Sequence, residues 1–214
     1  MRRGALALFF LAIAGGCAGP PAALTPGTAP GALASATPPA PASASPPSAS
    51  PPSASPASPP SASPAGPASI DPGLLALLPA AVDGRPIIET PDAEAAGASD
   101  PSIAGAAGRL AMAYVESAGG ADWAIMSVVA LRPGVWNEAF FRDWRDTYDA
   151  GVCGSHGGVG GNASATIAGR VVYITTCGPI RTYHVHLTGP DVVVSVAAVG
   201  DARYGERVMG GLRP

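Results

Sequence analysis

Two histidines separated by a single residue form the most suggestive polar pair in the sequence. They lie in the segment Arg-Thr-Tyr-His-Val-His-Leu, residues 181–187, where a β-strand would turn His184 and His186 to one face and the residues beside them to the other. Two imidazoles at this spacing can share one metal ion, and His156 could supply a third ligand. The sequence nevertheless favours two polar residues on the solvent face of a half-exposed sheet and predicts no metal site, because no carboxylate or third histidine is visibly placed to complete one.

A serine and a histidine, Ser155 and His156, stand side by side in the glycine-rich segment 153–162 and raise the question of hydrolysis. Neighbours in sequence rarely pair as nucleophile and base, and the Gly-x-Ser-x-Gly motif fails because Cys153 stands where the first glycine should be. A phosphate loop needs a strand before the glycines and a helix after them, whereas the predicted order here is helix, loop, strand. The sequence therefore predicts no catalytic residue and no cofactor, and it favours a flexible crossover.

The strongest predicted helix comes directly before these glycines. Trp136, Phe140, Trp144 and Tyr148 follow one another at steps of four residues, with charged residues off that stripe. At this spacing the aromatic side chains are predicted to be core residues, with stacking against sugars or peptides as the alternative. The carboxylates and arginines of the helix alternate at the spacing typical of a solvated face.

Four short strands are predicted after the glycine-rich segment, and their spacing indicates an antiparallel meander that carries His184 and His186 on its third strand. They cover residues 163–168, 171–177, 181–188 and 192–199.

The other predicted elements are a helix over 71–78, a brief strand at 87–88, a helix from 100 that ends before 119, a strand over 123–131 at the centre of the sheet, and a last helix after 201. Asp71, Asp100 and Asp201 are the expected N-caps, and proline follows the first two. Together these elements predict an α+β fold, with a mainly antiparallel sheet of about five strands and helices packed on one face.

The first residues of the chain are typical of a secretory signal. Two arginines precede an uncharged apolar stretch of about ten residues, where a membrane-spanning helix needs about 20. Residues 14–17, Ala-Gly-Gly-Cys, resemble the lipobox of bacterial lipoproteins, with alanine where that pattern prefers Leu, Val or Ile. The resemblance implies that 1–16 is a signal peptide and that Cys17 is diacylated as the mature N-terminus. The alternative is cleavage after Ala14 or Gly16 that leaves a free secreted protein.

If Cys17 is acylated, Cys153 and Cys177 remain as an even pair, for which a disulfide is the natural interpretation in an exported protein. The alternative, redox exchange between free thiols, lacks a Cys-x-x-Cys arrangement. The bridge would tie the end of the aromatic helix to the end of the second meander strand.

Residues 17–69 are predicted to form a disordered tether behind the anchor. From Ala18 to Ser69 the chain has no charged residue and consists mainly of Pro, Ala and Ser, so it cannot bury enough apolar surface to offset its ordering entropy. Its prolines favour an extended conformation of about 3.1 Å per residue, which gives a reach of about 100 Å or more. Residues 70–214 have the size of a single domain.

This predicted domain contains all fifteen acidic residues, ten of the twelve arginines and no lysine. An acidic exported domain is a poor candidate for binding nucleic acid. Its layout resembles that of small, uncharacterised lipoprotein domains of GC-rich bacteria, a resemblance from which no catalytic residue can be assigned. We expect a non-enzymatic, membrane-anchored extracytoplasmic module that binds an envelope protein or a small ligand. The alternatives are a small-molecule or metal sensor that uses His184 and His186, and an envelope hydrolase that uses Ser155 or His156.

Replacing the predicted acylation site tests the anchor. With Cys17→Ala we expect the protein to leave the membrane fraction, because lasting attachment requires at least two acyl chains. The wild-type protein from that fraction should have the intact mass of residues 17–214 plus acyl groups. A membrane-fraction protein without added acyl mass would contradict the prediction.

Overall fold

A mixed β-sheet of eight strands organises the part of the chain that the computed structural model describes, residues 66–213. The strands are β1 (Ser69–Ile70), β2 (Ala81–Val82), β3 (Arg85–Pro86), β4 (Ile88–Glu89), β5 (Ala107–Glu116), β6 (Trp123–Leu131), β7 (Gly161–Ile167), β8 (Arg170–Cys177), β9 (Ile180–Leu187) and β10 (Val192–Val199). The sheet order is β1-β5-β6-β10-β9-β8-β7, with β4 also paired to β5, while β2 and β3 form a separate hairpin. Cys17, the predicted signal peptide and residues 17–65 lie outside the described residues.

The helices lie on both faces of this sheet. They are α1 (Pro91–Ser99), α2 (Pro101–Ala106), α3 (Glu138–Cys153) and α4 (Tyr204–Gly210), with 3-10 helices at Pro72–Leu77 and Gly154–His156. Helix α4 and the first 3-10 helix cover one buried cluster, whereas α1, α2 and the start of α3 cover a second one on the opposite face. The predicted α+β class is confirmed. The predicted sheet of about five strands is wrong, since there are eight, and the prediction that the helices pack on one face is wrong, since they cover both. The one parallel pair, β1 with β5, makes the sheet mixed.

Strand β5 replaces most of a predicted helix. Asp100 caps α2 as expected, since its carboxylate accepts a hydrogen bond from the backbone N–H of Ser102 at 2.8 Å. The helix nevertheless ends at Ala106, and β5 follows at once. Leu110 packs on one face of the sheet and Ala111 on the other, so the strand is apolar at successive positions. Such a strand cannot be distinguished from a buried helix by periodicity alone.

The predicted meander is confirmed, because β7, β8, β9 and β10 pair in sequence order and all antiparallel. Strand β6 is also confirmed, although β10 and not β6 occupies the centre of the strand order. Helix α1 has no apolar stripe and was not predicted. The predicted cap of the last helix is wrong, since α4 begins after Arg203 and not after Asp201.

Helix α3 is held at its two ends. The side chain of Asn137 accepts a hydrogen bond from the backbone N–H of Phe140 at 2.9 Å and caps the first turn. At the other end Cys153 forms a disulfide with Cys177 of β8, across a Cα–Cα distance of 5.4 Å. The helix is therefore fixed covalently to the sheet at the point where the chain enters the glycine-rich crossover.

Removing the disulfide tests this attachment. The double variant Cys153→Ser/Cys177→Ser should lose about 3 kcal/mol of unfolding free energy, because the bridge closes a loop with a sequence separation of 24. Urea unfolding of both proteins measures the difference. Both cysteines are buried, so the bridge itself is probed by maleimide labelling in denaturant without reductant, and labelling of both thiols there would contradict it.

Candidate functional site

The face of α3 that meets the sheet carries charged residues. Phe141, Arg145, Asp149 and Cys153 follow one another at steps of four residues, and all of them except the partly buried Arg145 are buried. The predicted aromatic stripe lies beside this face and is only half-buried. The expectation that every carboxylate of the helix is solvated is wrong for Asp149, whose exposed fraction is 4%.

A chain of hydrogen bonds joins this helix to the centre of the sheet. Nε2 of His184 lies 2.9 Å from Oδ1 of Asp149, and Nδ1 of the same ring lies 2.9 Å from Oγ of Ser195 on β10. The indole N–H of Trp144 donates to that serine oxygen at 3.2 Å. His184 and Ser195 are both fully buried, so the network is a polar cluster inside the core.

Two threonines complete the hydrogen bonding of the Asp149 carboxylate. The hydroxyl of Thr182 donates to Oδ1, and that of Thr175 donates to Oδ2 at 2.6 Å. Thr175 also lies 2.7 Å from the side-chain amide of Asn162 on the edge strand β7. The contacting atom is the amide oxygen Oδ1, which only accepts, so the single hydroxyl hydrogen of Thr175 is shared between Asn162 and Asp149. Every strand from β7 to β10 therefore contributes to the cluster.

The surroundings of Asp149 favour its ionised form. Burial by itself raises the pKa of this carboxyl, but the hydrogen bond and charge of His184, together with the donations from Thr175 and Thr182, outweigh it and hold the pKa below its usual range. The phenol of Tyr148 meets the His184 ring edge-on, with centroids 5.1 Å apart, and its pKa is raised by burial and by the charge of Asp149.

Serine, histidine and aspartate in hydrogen-bonded order have the composition of a hydrolytic triad, but their position does not permit that chemistry. Ser195 lies on the central strand, paired with Ser127 on one side and His184 on the other, so its backbone amide belongs to the sheet. A nucleophile needs an open approach and hydrogen-bond donors for the oxyanion. The fully buried Ser195 hydroxyl has no such approach, and we interpret the cluster as structural.

The two strand histidines share a face as predicted, but that face is covered by α3 rather than by solvent. The His186 ring stacks on Trp136 with centroids 3.4 Å apart, and its Nε2 lies 2.9 Å from Oδ1 of Asp191. Both ring nitrogens of His184 are taken by Asp149 and Ser195. Among residues 66–213 no three His, Cys, Asp or Glu side chains are grouped to hold a metal ion.

The two residues of the hydrolase alternative lie in the crossover between α3 and β7 and are not part of the polar cluster. Ser155 and His156 belong to the short 3-10 helix Gly154–His156, which continues directly from α3. Ser155 is exposed and His156 is partly buried. The chain then turns through Gly157 and Gly158, both with positive φ, and enters the edge strand.

An open groove runs between α3 and strand β8. It consists of two depressions of about 700 and 420 Å³, which share Arg142, Arg145 and Tyr173 as lining residues. The larger one is also lined by Arg170 and by the stacked pair Trp136 and His186. The smaller one reaches the rim of the polar cluster at Asp149 and His184. Both volumes fall within or near the range of small-molecule pockets, about 300 to 1,000 Å³.

Arg145 is held rigidly in the middle of this groove. Its guanidinium carbon lies 3.8 Å from the centroid of the Tyr173 ring, and its Nε donates to the backbone carbonyl of Phe141 at 3.3 Å. The arginines and Tyr173 of this groove are not among the predicted site residues, whereas Trp136 belongs to the aromatic stripe for which stacking on a ligand was the alternative. One signal in the sequence did point to the cluster beneath it, namely Ser195 as the single polar residue in a run of valines and alanines.

Comparison with protein-family models, with curated proteins and with solved structures finds no match to this chain. None of the helices in the described part is both long and apolar enough to cross a membrane.

Neutralising the buried carboxylate tests the role of the cluster. Asp149→Asn should lose about 3 kcal/mol of unfolding free energy at pH 7, because it leaves His184 without its buried partner. The pKa of Asp149 is lowered in the fold, so its stabilisation is complete above the unfolded value of about 3.9 and is lost as the pH falls through the folded value. The difference between the two proteins should therefore shrink below pH 4.

Urea unfolding between pH 2 and pH 7 measures both effects. Asp146→Asn is the matched control, since this carboxylate is exposed on the same helix and its loss should cost less than about 0.5 kcal/mol. An Asp149→Asn protein as stable as the wild type at pH 7 would show that the cluster does not stabilise the fold.

Proposed function

We propose that this protein is a membrane-anchored extracytoplasmic lipoprotein whose domain acts as a binding module, and that it holds its ligand or partner in the groove between α3 and β8. Cys17 is the anchor, and the tether is the uncharged segment that begins at Ala18. It ends before the expected residue 69, because Ala68 is buried and Ser69 pairs with β5. The groove is the observation that carries the binding role, because its two depressions form one continuous surface over a floor fixed by buried hydrogen bonds.

The cysteines support the proposed location. Cys153 and Cys177 are paired, and structural disulfides persist in oxidising compartments outside the cytoplasm. The lipobox-like residues 14–17 place the third cysteine where acylation would follow export. An anchored domain at the end of a long tether can meet partners at a distance from its own membrane.

The position of the polar residues favours binding over catalysis. The hydroxyl of Ser195 is buried, and both ring nitrogens of His184 are hydrogen-bonded to protein side chains. These bonds stiffen the floor beneath the groove, and a preformed site loses less conformational entropy when a ligand binds.

Crosslinking in intact cells with a C-terminally tagged full chain tests the function. The groove is blocked by Ala139→Trp, since Ala139 is an exposed residue of α3 that lines the larger depression. The matched control is Ala150→Trp, the same substitution at an exposed position three turns along the same helix and outside the lining. Cys17→Ala removes the anchor.

We expect the wild type and Ala150→Trp to recover the same crosslinked partner, or the same non-covalent small-molecule mass after mild detergent extraction. Ala139→Trp should lose this partner or ligand, and Cys17→Ala should lose any partner that is met only at the membrane. Equal recovery with Ala139→Trp, at an unchanged unfolding midpoint, would refute the groove as the binding site.

A further inference from the structure

We propose that the larger depression of the groove binds a small anion, a carboxylate or a phosphate attached to an aromatic or apolar group. This inference rests on the proposed function, because it assigns a ligand class to the same groove. Three arginines line the depression together with aromatic side chains, and these two kinds of lining residue define the two parts of the ligand.

Arg145 is the central anion-binding group. Its Nε is used by the carbonyl of Phe141 and one face of its guanidinium by the ring of Tyr173, and both contacts fix its plane. Among residues 66–213 no carboxylate lies within 4.0 Å of it, and its two terminal nitrogens make no hydrogen bond to protein. In a fixed, partly buried guanidinium, the edge formed by the two free terminal nitrogens matches the two oxygens of a carboxylate or phosphate.

Two further arginines line the same depression. Arg170 donates to the backbone carbonyl of Leu212 at 3.2 Å and has no carboxylate within 4.0 Å among the described residues. Arg142 meets only its neighbour Asp143, at 3.6 Å between two exposed side chains, which is a weak interaction in water. Glu138 is the single carboxylate in the lining. The depression is therefore cationic within a domain that carries fifteen acidic residues against ten arginines.

The aromatic and apolar residues of the lining suit an aromatic or apolar group. The indole of Trp136 lies against His186 and beside Phe141, so its ring is held in place. Val171 of β8 also lines the depression, and 56% of its surface is exposed. A flat or apolar group on the anion would cover this surface, which gives the ligand an orientation as well as an attachment.

Packing alone leaves part of this arrangement unexplained. The Arg145 guanidinium packs on the rings of Tyr173 and Phe141, at 3.8 and 5.2 Å to their centroids, but the Phe141 carbonyl accepts from only one of its five N–H groups. A partly buried charge without a counter-ion costs free energy, and an anionic ligand would offset that cost when it binds.

Isothermal titration of the detergent-extracted full chain with phenyl phosphate, benzoate and neutral benzyl alcohol tests the ligand class, after subtraction of titrations into detergent alone. Arg145→Gln removes the central charge. Arg181→Gln is the matched control, because Arg181 is an exposed arginine of β9 outside the lining of the groove. Arg142→Gln, at an exposed position, keeps the test valid if Arg145→Gln does not fold.

We expect at least one of the two anions to bind about tenfold or more tightly than benzyl alcohol, and to lose about tenfold or more in affinity with Arg145→Gln but not with Arg181→Gln. The tighter anion identifies the acid group. Binding should also weaken as salt is added.

Benzyl alcohol that binds as tightly as the anions, or no binding by any probe, would overturn the anionic ligand class. An equal loss with Arg181→Gln would overturn it too, because it would indicate diffuse charge rather than this site. If Ala139→Trp still abolished recovery of the crosslinked partner or ligand from cells, the proposed binding module would stand even though the anionic ligand class had failed. Conversely, expected titrations with an unaffected Ala139→Trp protein would refute the function and leave the ligand class standing.

Discussion

The packing of α3 against the sheet depends on the buried contact between Asp149 and His184. A carboxylate and an imidazole removed from water lose hydration that their mutual attraction repays only when the remaining hydrogen-bonding positions are filled. Here Thr175 and Thr182 fill those of the carboxylate, and Ser195 fills the second nitrogen of the ring. The contact is thus satisfied only when β8, β9 and β10 are in register beneath the helix, which makes it specific to this one arrangement of elements.

This contact and the disulfide divide α3 into two functional halves. The C-terminal half is fixed twice, by Asp149 to β9 and by Cys153 to β8. Beside the N-terminal half, where Phe141 and Arg145 meet Tyr173, lies the open groove. A binding surface next to a rigid seam keeps its shape without a ligand, so that little conformational entropy is lost on binding.

The sequence predicted most elements well where one face of each was apolar or where turns separated short strands. The meander follows from turns between short strands, and β6 follows from a continuous apolar run bounded by turn residues. Strand β5 was mistaken for a helix, because burial on both faces removes the alternation and its apolar residues also fit a helical spacing. The site was harder to predict for a related reason. Charged residues on a helix are usually solvated, so the sequence indicates Trp136, Phe140, Trp144 and Tyr148 as the buried stripe. Arg145 and Asp149 are buried or half-buried because their partners come from strands more than twenty residues away.

The polar cluster and the cationic groove have a common cause, which is that Asp149 pairs with the sheet and not with Arg145. Arg145 and Asp149 are four residues apart on α3, the spacing at which opposite charges usually pair on a helix surface. In this fold the sheet takes the carboxylate instead, because His184 and two threonines offer it charge and hydrogen bonds in the core. Arg145 then contacts the rings of Tyr173 and Phe141 and one backbone carbonyl, and no carboxylate lies within 4.0 Å of it among the described residues. The network that stabilises the helix therefore also leaves an uncompensated positive charge in the groove beside it.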